Sequence, residues 1–257
     1  VFDTPTLPAD CEILGASELD LLLSADKPVA QIGVRLMDVA PDGAALRVSY
    51  QVLNLTHRDS HARPEPLEPG KRYRVQVKLN DCAHRFAAGH RIRVAISTGY
   101  WPIVWPAPEA ATVTLAAGDC RLELPVRHPR PEDGANPFPP PEMAPRTPTS
   151  LVSEGRVERR FSYDPVGERA AYVTDADGGV FGEGVQRFDE IGTVQNHALK
   201  RELSIGPDDP LTARYDLTES YVLQRPAQDG SPGGTAWDIR ADIRCGMTST
   251  RDTFVIW

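Results

Sequence analysis

The first half of the chain alternates apolar and polar residues with a period of two. In the clearest stretch, residues 72–79, the apolar side chains occupy odd positions and the polar side chains occupy even positions. Side chains of an extended strand point alternately to the two faces of a sheet, so this period is typical of strands with one buried face. Similar patterns predict further strands near residues 19–23, 32–36, 46–56, 92–96, 113–115 and 122–126.

These predicted strands are short, closely spaced and separated by turn residues, with almost no helical periodicity between them. The pattern is typical of an all-β fold, either a β-sandwich or a jelly roll. Two loops, 57–70 and 99–110, are long for hairpin connections and rich in proline or turn residues. Because long loops on a rigid sandwich commonly carry binding groups, we expect any binding site to lie on them.

A proline-rich segment separates the two halves of the chain. Residues 128–148 contain eight prolines, a composition that does not pair in a sheet and favours an extended path. We therefore predict a sandwich over residues 1–127, a linker or strap over 128–150, and a β-rich extension over 151–257. The extension has few large apolar residues, so we expect it to pack on the sandwich or on another domain. Within it, 170–174 and 180–183 flank an Asp-Gly-Gly sequence, which predicts a hairpin.

Charge and composition exclude several classes of function. The net charge of −8 argues against a nucleic-acid partner, which would require a basic face. No apolar run approaches the roughly 20 residues that a membrane span needs. The four cysteines form no Cys-x-x-Cys pair, so we expect reduced thiols in a cytoplasmic protein. The chain lacks an initiator methionine and stops within a strand-like stretch, so we expect it to be a piece of a longer protein.

None of the candidate catalytic motifs has the context that its chemistry requires. The nearest match to a Gly-x-Ser-x-Gly elbow centres on Ser97, but three prolines within the next eleven residues forbid the helix that must follow. Ser97 is therefore predicted to end a strand. Residues 57–61 contain the side-chain types of a triad, but a triad sets them on separate rigid elements. We interpret this segment as a polar loop with local ion pairs, and we keep His57 and Asp59 as candidates for lining a neighbouring cleft.

Metal and ligand sites were considered at two further places. Cys82, His84 and His90 lie close in sequence, but only the two histidines approach a metal-ligand spacing and no second pair accompanies them. We predict no metal and no cofactor. Tyr100, Trp101 and Trp105 lie in the second long loop, where aromatic rings could stack on a sugar, wall an apolar pocket, or cap the core or a domain interface.

Several stretches of the first half together resemble one known domain. They are residues 1–5 (VFDTP), 13–15 (ILG), 29–39 (VAQIGVRLMDV), 54–61 (NLTHRDSH), 67–70 (LEPG) and 86–97 (FAAGHRIRVAIS). This set resembles the C-terminal domain of the CocE/NonD hydrolases, the group that includes cocaine esterases and X-Pro dipeptidyl-peptidases. Residues 204–213 (SIGPDDPLTA) resemble the tail of longer members of that group.

The resemblance implies a jelly roll of the galactose-binding-like type that carries no catalytic residue of its own. In such hydrolases an upstream α/β-hydrolase domain supplies the serine, aspartate and histidine of the triad. The resemblance therefore implies an accessory domain that walls the active-site cleft of that partner domain and takes part in homo-oligomer contacts. The alternative function is a carbohydrate- or ligand-binding module that uses Tyr100, Trp101 and Trp105. A purely structural or oligomerising role is a third.

Overall fold

The computed structural model describes residues 1–128, 130, 131, 133, 134, 139–225 and 236–257. These residues form a nearly all-β structure of antiparallel strands, which confirms the predicted fold class. The chain divides into two compact units, Val1–Phe138 and Pro139–Trp257. The boundary lies inside the predicted linker, 128–150, of which residues 129, 132 and 135–138 are outside the described residues. The first strand of the second unit begins at Thr149.

The first unit contains two four-stranded sheets and a short two-stranded sheet. Its described strands are β1 (Phe2–Asp3), β2 (Cys11–Gly15), β3 (Glu18–Ala25), β4 (Gln31–Val39), β5 (Ala45–Asn54), β6 (Tyr73–Lys78), β7 (Cys82–Phe86), β8 (Arg91–Ser97), β9 (Val113–Leu115) and β10 (Arg121–Glu123). One sheet has the order β1-β8-β4-β5. In the second sheet β3 pairs with β10, β6 and β9, and β2 pairs with β7.

The hydrophobic core of the first unit joins side chains of both larger sheets. Leu21 and Leu23 of β3 are buried in the same cluster as Ile32, Val34 and Leu36 of β4. Burial alternates along β3 as the sequence pattern predicts, because every second side chain of a strand faces the same way. Each of these side chains contributes about 1.5–3 kcal/mol by leaving water. The two sheets therefore share one core, as in a β-sandwich, and the jelly-roll and galactose-binding-like assignment stays a prediction.

A bulge in β5 changes which side chains reach the outer face of the first sheet. Leu36 is paired with Ser49, whereas the next residue, Met37, is paired with Arg47, so Val48 is the extra residue. Such a bulge shifts the alternation by one position. As a result Arg47, beside Met37, and Tyr50, beside Arg35, both lie on the outer face.

The second unit is one antiparallel sheet of eight described strands. They are β11 (Thr149–Ser153), β12 (Arg156–Asp164), β13 (Arg169–Asp177), β14 (Val185–Phe188), β15 (Thr193–Ile205), β16 (Arg214–Arg225), β17 (Trp237–Ser249) and β18 (Phe254–Ile256). Residues 226–235, between β16 and β17, lie outside the described residues. Pairing follows chain order from β15 to β18.

The predicted hairpin around Asp177 is wrong. β13 and β14 do not pair with each other, because both pair with the same side of β15, where Ala176 faces Leu199 and Gln186 faces Gln195. The two strands therefore lie end to end along β15, and we call such a pair an interrupted strand line. β11 and β12 form a second interrupted strand line beside the first, because β11 pairs with β14 and β12 pairs with β13.

Glycines meet where these two lines are interrupted. A Cβ on Gly155 would lie 2.5 Å from the carbonyl oxygen of Gly178 and 2.8 Å from the backbone nitrogen of Gly184. Gly178 and Gly184 have φ of +70° and +93°, a region that L-residues with a Cβ rarely adopt. The amide of Gly179 donates to the carbonyl of His197 on β15 across 2.7 Å. Only residues without a side chain fit this crossing of backbones.

The second unit buries few large apolar side chains. Its buried apolar residues, among those described, are Ala171, Val173, Ala176 and Ala213. By contrast, the side chains of Phe161, Ile239 and Ile256 are 73%, 54% and 73% exposed. The sparse core agrees with the low content of large apolar residues in the sequence of this half, and the predicted packing of 151–257 on the sandwich stays a prediction.

Candidate functional site

The second long loop of the first unit is attached to the outer face of the β1-β8-β4-β5 sheet. It leaves β8 after Ser97, and the Tyr100 ring lies over Gly33, where an added Cβ would be 3.2 Å from the Cβ of Tyr100. The side-chain amide of Gln31 donates to the carbonyl of Trp105 across 3.2 Å. A glycine on β4 therefore makes room for the tyrosine, and Gln31 fixes the far end of the loop.

The two tryptophans of this loop contact each other. The rings of Trp101 and Trp105 meet edge to face with centroids 5.3 Å apart, and both side chains are half-buried. Their neighbour Ile103 is 53% exposed. The peptide bond between Trp101 and Pro102 is cis, and the amide of Val104 donates to the carbonyl of Tyr100 across 3.0 Å. The contact between the tryptophans and the Val104–Tyr100 hydrogen bond give the loop a defined shape, and Ile103 forms an apolar tip.

Beside this loop lies a group that we call the arginine–tyrosine cluster, formed by Arg35, Arg47, Tyr50 and Tyr100. The Arg35 guanidinium lies 5.1 Å from the centroid of the Tyr100 ring, and that of Arg47 lies 4.7 Å from the Tyr50 ring. The two tyrosine rings meet edge to face at 5.7 Å, and Arg47 donates a hydrogen bond to the Tyr100 hydroxyl. Stacking on aromatic faces holds both cations in place.

Ser97 contacts the arginine–tyrosine cluster and is not part of a catalytic group. It is the last residue of β8, as predicted. Its hydroxyl donates to the carbonyl of Gly99 across 2.7 Å and accepts from Nη2 of Arg35 across 3.3 Å. A nucleophilic serine donates to a base that can take its proton, and neither of these partners is such a base.

The first long loop places His57 and Asp59 in a separate group. His57 ends a 3-10 turn, and its Nδ1 lies 3.4 Å from Nδ1 of His61. Asp59 forms an ion pair with Nε of Arg58 at 3.2 Å. The Arg58 guanidinium is almost buried, lies over the Tyr73 ring at 4.4 Å and donates to the carbonyl of Glu65 across 2.7 Å. This arginine organises the loop, and the contacts that the structure shows for His57 and Asp59 are with residues of the same loop.

The two long loops leave the sheet at the same end. β5 ends at Asn54, opposite Gln31, and β8 ends at Ser97, opposite Gly33. The ring contacts of His57 go to His61 and those of Trp101 go to Trp105. The structure therefore puts the five predicted site residues at one end of the sandwich, but in two groups.

Two of the three residues in the candidate metal group, the histidines, contact one carboxylate instead. The two oxygens of Asp38 lie 2.9 Å from Nε2 of His84 and 2.8 Å from Nδ1 of His90. Burial, together with the nearby Asp81, raises the pKa of the Cys82 thiol, which keeps it protonated and a poor metal ligand. Within the described ranges, no group of three or more His, Cys, Asp or Glu side chains could hold a metal ion.

The comparison with known families decides what kind of domain this is. Residues 1–136 match the family of X-Pro dipeptidyl-peptidase C-terminal non-catalytic domains. The chain belongs to this family. Residues 1–136 are thus a non-catalytic C-terminal domain of the X-Pro dipeptidyl-peptidase type, as the sequence resemblance implied. In that part of the chain which the structure describes, no helix is long and apolar enough to cross a membrane.

Individual relatives of this C-terminal domain are larger hydrolases. The chain is 27% identical to cocaine esterase of Rhodococcus sp. (strain MB1 Bresler) over 101 residues, which cover 39% of this chain and 18% of the relative. The structure of an α-amino acid ester hydrolase is 25% identical to this chain with a TM-score of 0.47. The match covers 49% of this chain and 25% of the hydrolase chain. The structure of a CocE/NonD family hydrolase from Staphylococcus aureus is 16% identical to this chain with a TM-score of 0.42. The match covers 49% of this chain and 30% of the hydrolase chain. The matched part of the chain thus spans at most about a third of the length of these relatives.

Sequence reasoning found the aromatic loop of this C-terminal domain but missed the arginines beside it. Alternation along β4 does place Arg35 on the face opposite Ile32, Val34 and Leu36, so its outward direction was readable from the sequence. The same alternation along β5 places Arg47 outward, opposite Leu46 and Val48, but it places Tyr50 on the core side. The bulge at Val48, which the apolar pattern does not show, instead brings Tyr50 to the outer face beside Arg35. The contact of Tyr100 with Gly33 joins residues 67 positions apart, and no local pattern indicates it.

Proposed function

We propose that this chain is the accessory C-terminal part of a larger serine hydrolase, with X-Pro peptides, esters or amides as substrates. Its first unit walls the active-site cleft of an upstream α/β-hydrolase domain and takes part in assembly. The observation that carries the proposal is the family match to a non-catalytic domain over residues 1–136. The loops that carry Tyr100, Trp101, Trp105, His57 and Asp59 support it, because they lie together at one end of the sandwich.

Three features of the aromatic loop suit it to the wall of a cleft. Gln31 and Gly33 attach it to a rigid sheet. Trp101 and Trp105 support each other, so the tip does not need ordering when a partner arrives. Ile103 stays exposed at that tip and offers an apolar surface that excludes water from a neighbouring site. A rigid apolar wall is what a cleft shared by two domains requires.

The state of the cysteines supports a cytoplasmic location for the protein. All four are free thiols in the structure: Cys11, Cys82, Cys120 and Cys245. Free thiols in a protein of this size are typical of a reducing compartment. We therefore keep the cytoplasm as the proposed location.

The proposal is tested by labelling with a fluorophosphonate, which reacts with the activated serine of a serine hydrolase. The reagent is applied to the 257-residue chain and to the full-length product of its gene. We expect only the full-length protein to be labelled, on a serine outside this chain. Labelling of the 257-residue chain by itself would mean that it contains a nucleophile, and the accessory role would be abandoned.

A second candidate function is a carbohydrate- or ligand-binding module that uses the loop aromatics. The half-buried state of Trp101 and Trp105 favours it, since each ring keeps accessible surface. Isothermal calorimetry of the chain against a panel of sugars tests it, with Trp101→Ala as the diagnostic variant. Binding heat that disappears in Trp101→Ala supports the carbohydrate-binding function. If no sugar of the panel gives heat, this function is rejected and the accessory role is the remaining candidate.

A further inference from the structure

We propose that the arginine–tyrosine cluster is a docking site for an acidic patch on the catalytic domain of the same protein. The inference rests on the proposed function, because it takes that domain as the partner. It adds the surface, the residues and the chemistry of the contact. The cluster's arginines supply the positive charge, and aspartate or glutamate side chains of the partner supply the negative charge.

The outer face of the β1-β8-β4-β5 sheet is positive on an otherwise acidic chain. Strand register places Asp3, Arg93, Met37 and Arg47 in one row across the four strands. Arg91 and Arg35 lie on the same face, each two residues before the row residue of its own strand, and because the strands are antiparallel they lie on opposite sides of that row. This face thus carries four arginines and one aspartate, whereas the whole chain has a net charge of −8.

The four arginines are of two kinds. Arg93 and Arg91 form ion pairs with Asp3 at 2.7 and 3.0 Å. Arg35 and Arg47 donate instead to the hydroxyls of Ser97 and Tyr100. No carboxylate in the described part of the chain lies within ion-pair distance of either guanidinium. Two cations are therefore left for an anion that comes from outside this chain.

The geometry of the cluster favours a carboxylate on a protein over a free small molecule. A guanidinium presents parallel N–H groups that match the two oxygens of a carboxylate. Small-molecule sites are concave, whereas the cluster lies on the face of a sheet. The apolar cavity of about 190 Å³ in the first unit lies elsewhere, with Phe2, Leu19 and Leu122 among its lining residues.

The supporting tyrosines strengthen this assignment. Arginine and tyrosine are the side chains enriched where protein surfaces meet and are over-represented among residues that dominate binding energy. Both guanidinium groups are already stacked on rings that contact each other. Little side-chain freedom is therefore lost when the partner docks, which favours affinity.

Zero-length cross-linking of the full-length protein tests the docking site. The variants Arg35→Lys and Arg47→Lys keep the positive charge and introduce an amine, which a water-soluble carbodiimide joins to a carboxylate in direct contact. Arg72→Lys is the matched control, because Arg72 is exposed and lies just before β6. Mass spectrometry of the digested protein then identifies both linked peptides.

We expect the two cluster variants to give at least about fivefold more cross-link to acidic peptides of the catalytic domain than the control, since contact within one molecule raises the effective concentration. Yields equal to the control, or links between two copies of the chain, would overturn the assignment. Fluorophosphonate labelling of the same preparations separates the two proposals. A labelled full-length protein without the cluster cross-link refutes the docking site and leaves the proposed function standing.

Discussion

The carboxylate of Asp38 is nearly buried and contacts two histidines. It lies between His84 and His90, and only about a tenth of the Asp38 side chain is exposed. An ionised carboxylate can only accept hydrogen bonds, so each histidine carries a proton on the nitrogen that faces it. The aspartate therefore fixes the tautomer and the orientation of both rings, which also ties β4 to β7 and to the start of β8.

Replacing Asp38 should destabilise the first unit. In Asp38→Ala both histidine N–H groups lose their acceptor in a half-buried place, and a donor left unsatisfied costs about 1–3 kcal/mol. We expect the free energy of unfolding, measured with urea near neutral pH, to fall by an amount in that range or above it. Asp81→Ala is the control, because Asp81 is exposed. Equal stability of the two variants would show that the histidine contacts contribute nothing.

At the scale of single residues, the sequence predicted in which element a side chain lies better than it predicted which side chains contact each other. It placed Ser97 at the end of a strand and the aromatics on a loop, both from local pattern and proline content. It did not predict that His84 and His90 converge on Asp38, which is 46 and 52 residues away. Such contacts depend on how strands pair, and periodicity within one strand carries no information about its partner.

Strand pairing in the second unit was also not predictable from local sequence. An Asp-Gly-Gly sequence between two β-like stretches predicted a local hairpin. The glycines do adopt the positive φ of a turn, but the flanking strands pair with β15 and not with each other. The sequence therefore predicted the turn correctly but the strand pairing wrongly. Pairing with β15, a 13-residue strand later in the chain, replaces the pairing of the two flanking strands with each other.

Gly184 provides a test of the interrupted strand lines. Its φ is +93°, and an added Cβ would collide with Cδ1 of Leu151 and lie 2.5 Å from the carbonyl oxygen of Ser153. We expect Gly184→Ala to lower the free energy of unfolding by more than about 1 kcal/mol, since alanine at such a φ is strained even without a clash. Thermal unfolding followed by circular dichroism measures the effect.

Gly118→Ala is the control for that experiment. Gly118 has nothing within 4 Å of its Cβ position and no positive φ. We expect its thermal midpoint to stay close to that of the unmodified chain. If the two glycine variants melt at the same temperature, the close approach of backbones at Gly155, Gly178 and Gly184 does not contribute to stability.

For the whole molecule, aspartates paired with arginines set the response to acid. Hydrogen bonds from Arg93, Arg127, Arg214 and Arg240 hold the pKa values of their aspartate partners below the ordinary value of 3.8. These partners are Asp3, Asp133, Asp216 and Asp242. A depressed folded-state pKa stabilises the protein above the unfolded value, and the stabilisation is lost as pH falls through the folded value.

We therefore expect stability to fall on acidification below 3.8 and not in the neutral range, as far as these four carboxylates are concerned. Urea midpoints measured from neutral pH down to about pH 2 give the slope, which reports proton uptake on unfolding. Asp3→Asn should flatten part of that slope, because an amide cannot be protonated in this range. A midpoint that rises in acid would contradict the assignment.

The interrupted strand lines of the second unit have a consequence in mechanical terms. β11 and β12 are interrupted at the same level as β13 and β14, and β15 is the continuous strand that crosses this level. A load applied along the strands meets two separate blocks of hydrogen bonds, one from β13 and a shorter one from β14. We expect the shorter block to shear first, so that β14 and the β11 strand paired with it separate from β15 before β13 does.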